Sequence, residues 1–257
     1  MTDYIIKTAE DVYGIKTDPD DAKKLRDHIR EKYGAVTQET VKKVFATGEA
    51  AGFVTVNETY FFREPAHFEF LLNRLSDLDH SDLRILSAAT STGCEAYSIA
   101  ILLETYKRNM SKHLNYQIDA FDINQDVIKI AREGIFGERS MREDGSSFRY
   151  MADPFIEKTG SGYKAAESLK SNINFFVHNL MDAVNENYYH LIFFRNAFIY
   201  FSPAARSRVL SNLSIALKEN GLLILGVSET AGARHESLVS KNVNDVFYLQ
   251  KQSSVVY

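Results

Sequence analysis

From Leu83 onward, short apolar runs alternate with amphipathic stretches, and this alternation restricts the fold more than any other feature of the chain. LRILSA (83–88) and QIDAFD (117–122) read as buried strands. NINFFVH (172–178), HLIFFR (190–195) and GLLILGV (221–227) are three more apolar runs of strand length. Helices are expected between them over about 94–109, 125–133 and about 203–217, the last with a proline in its first turn. VFYLQ (246–250) is expected as a final edge strand. Strands that alternate with helices build a mostly parallel, doubly wound α/β sheet. Ligands bind such sheets at the carboxyl ends of the strands, so residues just after a strand are site candidates.

The first fifty-odd residues carry no strand signal. Tyr4, Ile5, Ala9, Val12 and Tyr13 recur at helical spacing, with Gly14 as a stop. Asp18–Pro19–Asp20 opens a second helix that runs to about Tyr33 and ends at Gly34; its acidic first turn and basic later turns suit the helix dipole. A third helix is expected over about 37–47. Between 136 and 171 the alternation lapses around Thr159–Gly160–Ser161–Gly162. A structureless insertion of that length is unusual in a compact domain, so a small hairpin module is expected there. The organisation read from these patterns is a helical domain over 1–52, a linker and helix carrying VNETYFFRE within 53–82, and an α/β domain over 83–257 with a β-subdomain inserted at about 145–172.

Composition narrows the function. A formal charge of −4 argues against a chain whose main business is nucleic acid. The single cysteine, Cys94, permits neither an internal disulfide nor a cysteine zinc cluster, and the seven histidines show no paired metal-ligand spacing, so no metal is expected. The N-terminal stretch does not read as a signal peptide, and no apolar run approaches the roughly 18 residues of a membrane helix. A soluble, cytoplasmic protein without membrane insertion is expected.

The first strand leads into SAATSTGCEAYSIA (87–100), with one glycine at the turn. That is neither GxGxxG nor a phosphate loop. Gly93 would let a ligand approach the backbone, and the helix start behind it offers free N–H groups. Glu95, in the first helical turn, either complements the helix dipole or binds a cationic group such as an ammonium. Asp122, about thirty residues on, ends the second strand where nucleotide-binding sheets hold ribose hydroxyls. Its bland role is a turn or cap, but Asn124 caps equally well and would leave Asp122 to a ligand. A ribose, an ammonium and no phosphate are what S-adenosylmethionine offers, whereas a dinucleotide needs more glycine at the first turn.

VNETYFFRE (56–64) and FFRNAFIYF (193–201), with STGCEAYSIA, FDIN (121–124) and HNL (178–180), resemble the CheR-type protein-glutamate O-methyltransferases. The resemblance runs from about 57 to 248 with every motif in family order. It implies a Rossmann-like, mostly parallel seven-stranded methyltransferase sheet with an N-terminal helical domain and a small β-subdomain. It implies that Asn57, Thr59 and Arg63 contact the cofactor, with Arg63 near its carboxylate and the reacting methyl. Ala88 and Glu95 would lie against the methionine portion, Asp122 on the ribose, and Asn179 and Leu180 beside the adenine. Arg195 and Asn196 would border the cofactor and substrate cleft, with Tyr200 beside the methyl. Arg63 and Tyr200 are thus the expected catalytic pair. The chain departs from the family's Gly-Glu-Glu-Pro-Tyr at Gly93–Cys94–Glu95–Ala96–Tyr97, and its N-terminal helices are short for the family. Cys94 at a helix start either has a lowered thiol pKa or is a small structural residue, the latter being expected.

Lys23, Arg26 and Arg30 share one helix face, with Lys24, Lys32, Lys42 and Lys43 nearby. Such a run is ordinarily a solvated face; the resemblance makes it a substrate-binding surface for glutamate-rich receptor helices. The expected function is methyl transfer from S-adenosylmethionine to glutamates on the cytoplasmic domain of chemotaxis receptors, by a monomer, leaving S-adenosylhomocysteine. The alternatives are a methyltransferase of this fold acting on another protein or a small molecule, and a non-catalytic S-adenosylmethionine-binding signalling module.

Overall fold

The computed structural model describes residues 1–78, 81–110, 113–142 and 148–252. Helices α1 (Thr2–Tyr13), α2 (Pro19–Tyr33), α3 (Gln38–Ala46), α4 (Ala51–Val54) and α5 (Pro65–Arg74) precede the sheet. Then come β1 (Leu83–Ala88), α6 (Cys94–Met110), β2 (Tyr116–Asp122) and α7 (Gln125–Glu133). A middle section holds β3 (Ile135–Gly137), α8 (Arg149–Ala152), β4 (Ile156–Thr159), β5 (Gly162–Ala165) and α9 (Glu167–Lys170). The chain finishes with β6 (Ile173–Val177), β7 (Tyr189–Phe194), α10 (Pro203–Ala216), β8 (Leu217–Leu225), β9 (Leu238–Val243) and β10 (Val246–Lys251).

Seven strands form one sheet in the order β6-β2-β1-β7-β8-β10-β9. β1 pairs parallel with β2 and β7, β2 with β6, and β7 with β8; β10 is antiparallel to β8 and β9. The chain winds outward from β1 in one direction and returns to β7 on its other side, so the order reverses between β1 and β7. That reversal opens a crevice at the carboxyl ends of the central strands. VFYLQ is not the edge strand expected from its sequence: β10 lies inside the sheet and β9 forms the edge. β9 escapes notice because LVSKNV buries only Leu238, as a polar edge does.

The second sheet is β3-β5-β4. Its β4–β5 hairpin pairs Thr159 with Gly162 across a two-residue turn, at the place the TGSG sequence points to. The module begins earlier than expected, at Ile135, because β3 is three residues long and too short to leave a pattern. Positions 145–147 of the expected insertion lie outside the described residues.

The N-terminal helices end and begin where their punctuation predicts. Gly14 closes α1 at φ 72°, Asp18 accepts from the Asp20 N–H at the start of α2, and Gly34 closes α2 at φ 77°. Their buried side chains, among them Ile5, Leu25, Ile29 and Val44, belong to one apolar cluster with Leu86, Ile192, Phe194 and Val209. These helices therefore share a core with one face of the sheet rather than enclosing one of their own. α5, α6 and the small sheet pack on the other cluster, around Phe68, Ile85, Tyr97 and Phe193. The VNETYFFRE motif is a loop between α4 and α5, with positive φ at Phe62 (54°) and Glu64 (57°); the helix begins only at Pro65.

Candidate active site

A cleft opens at the carboxyl ends of β1, β2, β6 and β7, lined by residues that follow those strands and by the motif loop. The motif loop supplies Asn57, Thr59 and Arg63, the β1–α6 turn supplies Ala89, the first turn of α6 supplies Glu95, and β2 supplies Asp122. Asn179 and Leu180 follow β6, and Arg195, Asn196 and Tyr200 follow β7. Nine of the expected cofactor residues, together with Tyr200, thus meet in one cavity. Ala88 does not line it: it is 1% exposed within the strand, and its neighbour Ala89, at φ 59°, turns toward the cavity instead.

The floor is an ionic cluster. Arg195 donates to Glu95 Oε2 (3.1 Å) and to Glu64 Oε2 (3.3 Å), and also to the Arg63 carbonyl. Ser87 donates to Glu95 Oε1 (2.7 Å) and Asn196 Nδ2 to Glu64 Oε1 (2.9 Å). His67 Nδ1 lies 3.1 Å from Glu64 Oε2, but burial lowers the His67 pKa and favours the neutral ring. One guanidinium therefore serves two carboxylates. Glu64 is held well below the usual carboxylate range: His67, Arg195 and Asn196 outweigh its burial. Glu95 goes the other way, because burial raises it more than Arg195 and Ser87 lower it. With both carboxylates ionised, one guanidinium would leave the cluster one positive charge short at Glu95, on the cavity wall. A cationic ligand group would supply that charge, so the residues fit the ammonium of S-adenosylmethionine.

Asp122 both makes a turn and faces the cavity. Its oxygens accept the Ser91 N–H (2.9 Å) and the Asn124 N–H (3.0 Å), while Asn124 caps α7 by accepting from the Asp126 N–H (3.0 Å). Asn124 thus takes the cap as expected, without freeing Asp122 from the backbone. Burial raises the Asp122 pKa against those N–H groups, and each carboxylate oxygen keeps acceptor capacity for a ribose hydroxyl. Gly93 serves packing rather than ligand approach. It does not line the cavity, and a Cβ there, at φ 88°, would meet Ala131 Cβ and the Phe175 ring at 3.0 Å.

Arg63 Nη1 donates to the Glu58 carbonyl (3.1 Å), with its guanidinium 5.6 Å from the Tyr60 ring centroid. Tyr200 ends a short 3-10 turn anchored by Glu229, whose carboxylate accepts N–H groups from Asn196 (2.7 Å), Phe198 (2.6 Å) and Gly226 (2.8 Å). Cys94 is fully buried and its thiol is pushed up to about 12 by burial, which rules out the lowered thiol pKa and leaves the structural role. Lys23, Arg26 and Arg30 do not line the cavity; Arg26 and Arg30 both donate to Asp27 Oδ1, which dilutes the basic face.

Glu64 and Glu229 have roles at the site that their sequence context does not announce, as do Tyr13 and Ile15, which bring the end of α1 to the cavity wall. Glu64 lies inside the VNETYFFRE motif, and its left-handed φ of 57° has no signal in the sequence, since the following proline favours extended backbone there. Glu229 and the α1 residues left no local signal, because their roles come from long-range contacts.

A family sequence profile described as "CheR methyltransferase, SAM binding domain" matches residues 57–246. A chemotaxis protein methyltransferase of Vibrio parahaemolyticus is 34% identical over 187 residues, covering 70% of this chain and 67% of that protein. One from Listeria monocytogenes is 30% identical over 208 residues, covering 78% and 77%. A probable biofilm formation methyltransferase, WspC, of Pseudomonas aeruginosa is 35% identical over 186 residues, covering 69% of this chain and 43% of its own length.

Proposed function

The chain belongs to the CheR methyltransferase family, and on that premise we propose that it methylates glutamate side chains on the cytoplasmic domain of chemotaxis receptors. The observation that carries this reading is the charge-deficient Glu64–Arg195–Glu95 floor in the same cavity as Arg63 and Tyr200. In this reading S-adenosylmethionine supplies an electrophilic methyl on a cationic sulfur, and the products are a glutamate γ-methyl ester and S-adenosylhomocysteine. Glu95 takes the ammonium, Asp122 the ribose hydroxyls, and Asn179 and Leu180 flank the adenine.

The substrate end of the cavity needs little acid–base chemistry. A glutamate side chain has a pKa of about 4.3, so the accepting oxygen is already ionised at neutral pH. Arg63 draws that carboxylate in, and the Tyr200 hydroxyl donates to it. The chain's contribution is orientation and the exclusion of water. On the outer surface the exposed Lys23 with Arg26 and Arg30 on α2 provides a steering face for acidic helices. The relative named for biofilm formation favours a second reading in which the methylated receptor serves biofilm formation rather than chemotaxis.

Incubation with methyl-labelled S-adenosylmethionine and a receptor cytoplasmic fragment tests the proposal. Base-labile label on the fragment, lost in a folded Arg63→Ala variant, supports it. Near-normal turnover by Arg63→Ala would overturn the role assigned to Arg63, and cofactor binding without transfer would point to a non-catalytic module.

A further inference from the structure

We propose that the end of α1, pivoting on Gly14, is a positioning element of the transfer site that holds Tyr200 in place. Val12 to Lys16 lie outside the residues matched by the family profile, yet they are tied to two walls of the cavity. Asn179 Nδ2 donates to the Val12 carbonyl (2.8 Å). The Ser202 N–H donates to the Gly14 carbonyl, and the Lys16 N–H to the Tyr200 carbonyl, both at 2.9 Å. Ile15 and Phe201 thereby form an antiparallel bridge, a short strap across the segment that carries Tyr200. Tyr13 and Ile15 face the cavity on either side of the pivot, and the Tyr13 hydroxyl is itself fixed by donation to the Phe45 carbonyl (3.0 Å).

Gly14 makes the crossing possible. Its φ is +72°, and an added Cβ would lie 2.6 Å from Ala205 Cβ, 2.7 Å from Met181 Sδ and 3.2 Å from the Phe201 ring. Ala205 and Phe201 belong to the segment that follows Tyr200, and the Ala205 Cβ yields only if that segment moves. Gly34 closes α2 at a similar φ of +77° with nothing within 4 Å of an added Cβ. The two glycines carry the same backbone requirement, and only one of them touches the site.

This inference rests on the proposed role of Tyr200, and the test separates the two. Gly14→Ala and Gly34→Ala are compared with wild type for kcat and KM on a receptor fragment and for S-adenosylhomocysteine affinity. The fluorine resonance of fluorotyrosine at position 200, assigned with Tyr200→Phe, is recorded in each. For Gly14→Ala the expected result is a kcat lower by roughly 10- to 100-fold with KM within about threefold, as displacement of a reacting-site group produces. Its Tyr200 resonance shifts. Gly34→Ala keeps both the wild-type kcat and the wild-type resonance. If Gly14→Ala does not fold, Lys16→Pro, which removes the N–H donated to the Tyr200 carbonyl, is used in its place with the same expected results. An unmoved Tyr200 resonance with unchanged kcat overturns the proposal, as does a parallel loss of kcat in Gly34→Ala. A wild-type protein that methylates no receptor glutamate refutes the receptor reading, while the resonance still decides the strap.

Discussion

Replacing Glu95 by Gln probes the floor of the cavity without changing its shape. Arg195 keeps Glu64 as a counter-charge, so the variant leaves no bare buried cation and should fold. What it removes is the carboxylate that lacks full compensation and would meet the ligand's ammonium. A hydrogen bond to a charged group contributes about 1.5–3 kcal/mol, which at about 1.4 kcal/mol per tenfold weakens S-adenosylhomocysteine binding roughly 10- to 100-fold. The pH dependence supplies a second reading of the same residue. Burial holds the Glu95 pKa above 4.5 in the ligand-free protein, and an ammonium favours the ionised form. Binding therefore tightens as pH rises from 4.5 through that raised pKa, then levels off. Asp122 is raised in the same sense, so Glu95→Gln makes the profile shallower without flattening it. For folding the sign is reversed: the native state keeps its proton to higher pH than the unfolded chain. The Glu95 contribution to stability thus declines as pH climbs through the same window. Isothermal titration with S-adenosylhomocysteine across that range is the assay. A Glu95→Gln affinity within about twofold of wild type, against the loss expected for a charged hydrogen bond, with an unchanged pH profile would refute a charge-deficient floor.

Other perturbations test other parts. Glu229→Gln forces an amide N–H₂ against backbone donors; it should cost about 1–3 kcal/mol in urea unfolding and lower kcat by disordering the turn that carries Tyr200. Glu49 is partly buried, yet hydrogen bonds from Lys32, His28 and Tyr33 hold its carboxyl at about 2. Its stabilisation is therefore complete above about pH 4.5 and is lost as pH falls toward 2. Glu49→Gln should lower stability at neutral pH by about 1–3 kcal/mol, with the gap to wild type closing in acid. Charge reversal at Lys23 and Arg30 together should raise KM for a receptor fragment several-fold at low salt, an effect that shrinks as ionic strength rises. An unchanged, salt-independent KM would remove α2 from the substrate surface.

The parts of the fold that could be read in advance are those whose pattern is local. LRILSA, QIDAFD and the capping residues Asp18, Gly14 and Gly34 carry their own periodicity or backbone requirement, and the structure places each as read. β9 and β3 could not be read, because one is polar along its length and the other spans three residues. Glu95 and Asp122 stood out because residues that follow strands of a doubly wound sheet face its crevice. Glu64 and Glu229 did not, since each acts through partners far along the chain: Glu64 on Arg195, and Glu229 on the N–H groups of Asn196 and Phe198. Gly93 shows the limit of motif reasoning. Its place in the turn was correct, while its neighbours Ala131 and Phe175 give it a packing purpose that spacing does not encode.

The central claim is that this cavity transfers a methyl group to a carboxylate. Peptide mass spectrometry of a receptor cytoplasmic fragment, after incubation with the protein and S-adenosylmethionine, tests it most directly. The predicted result is one added methyl on glutamate residues, removed by mild base and missing when Arg63→Ala replaces the wild-type protein. Methyl groups found only on lysine or at other base-stable positions, or an unmodified fragment beside tight cofactor binding, would contradict it.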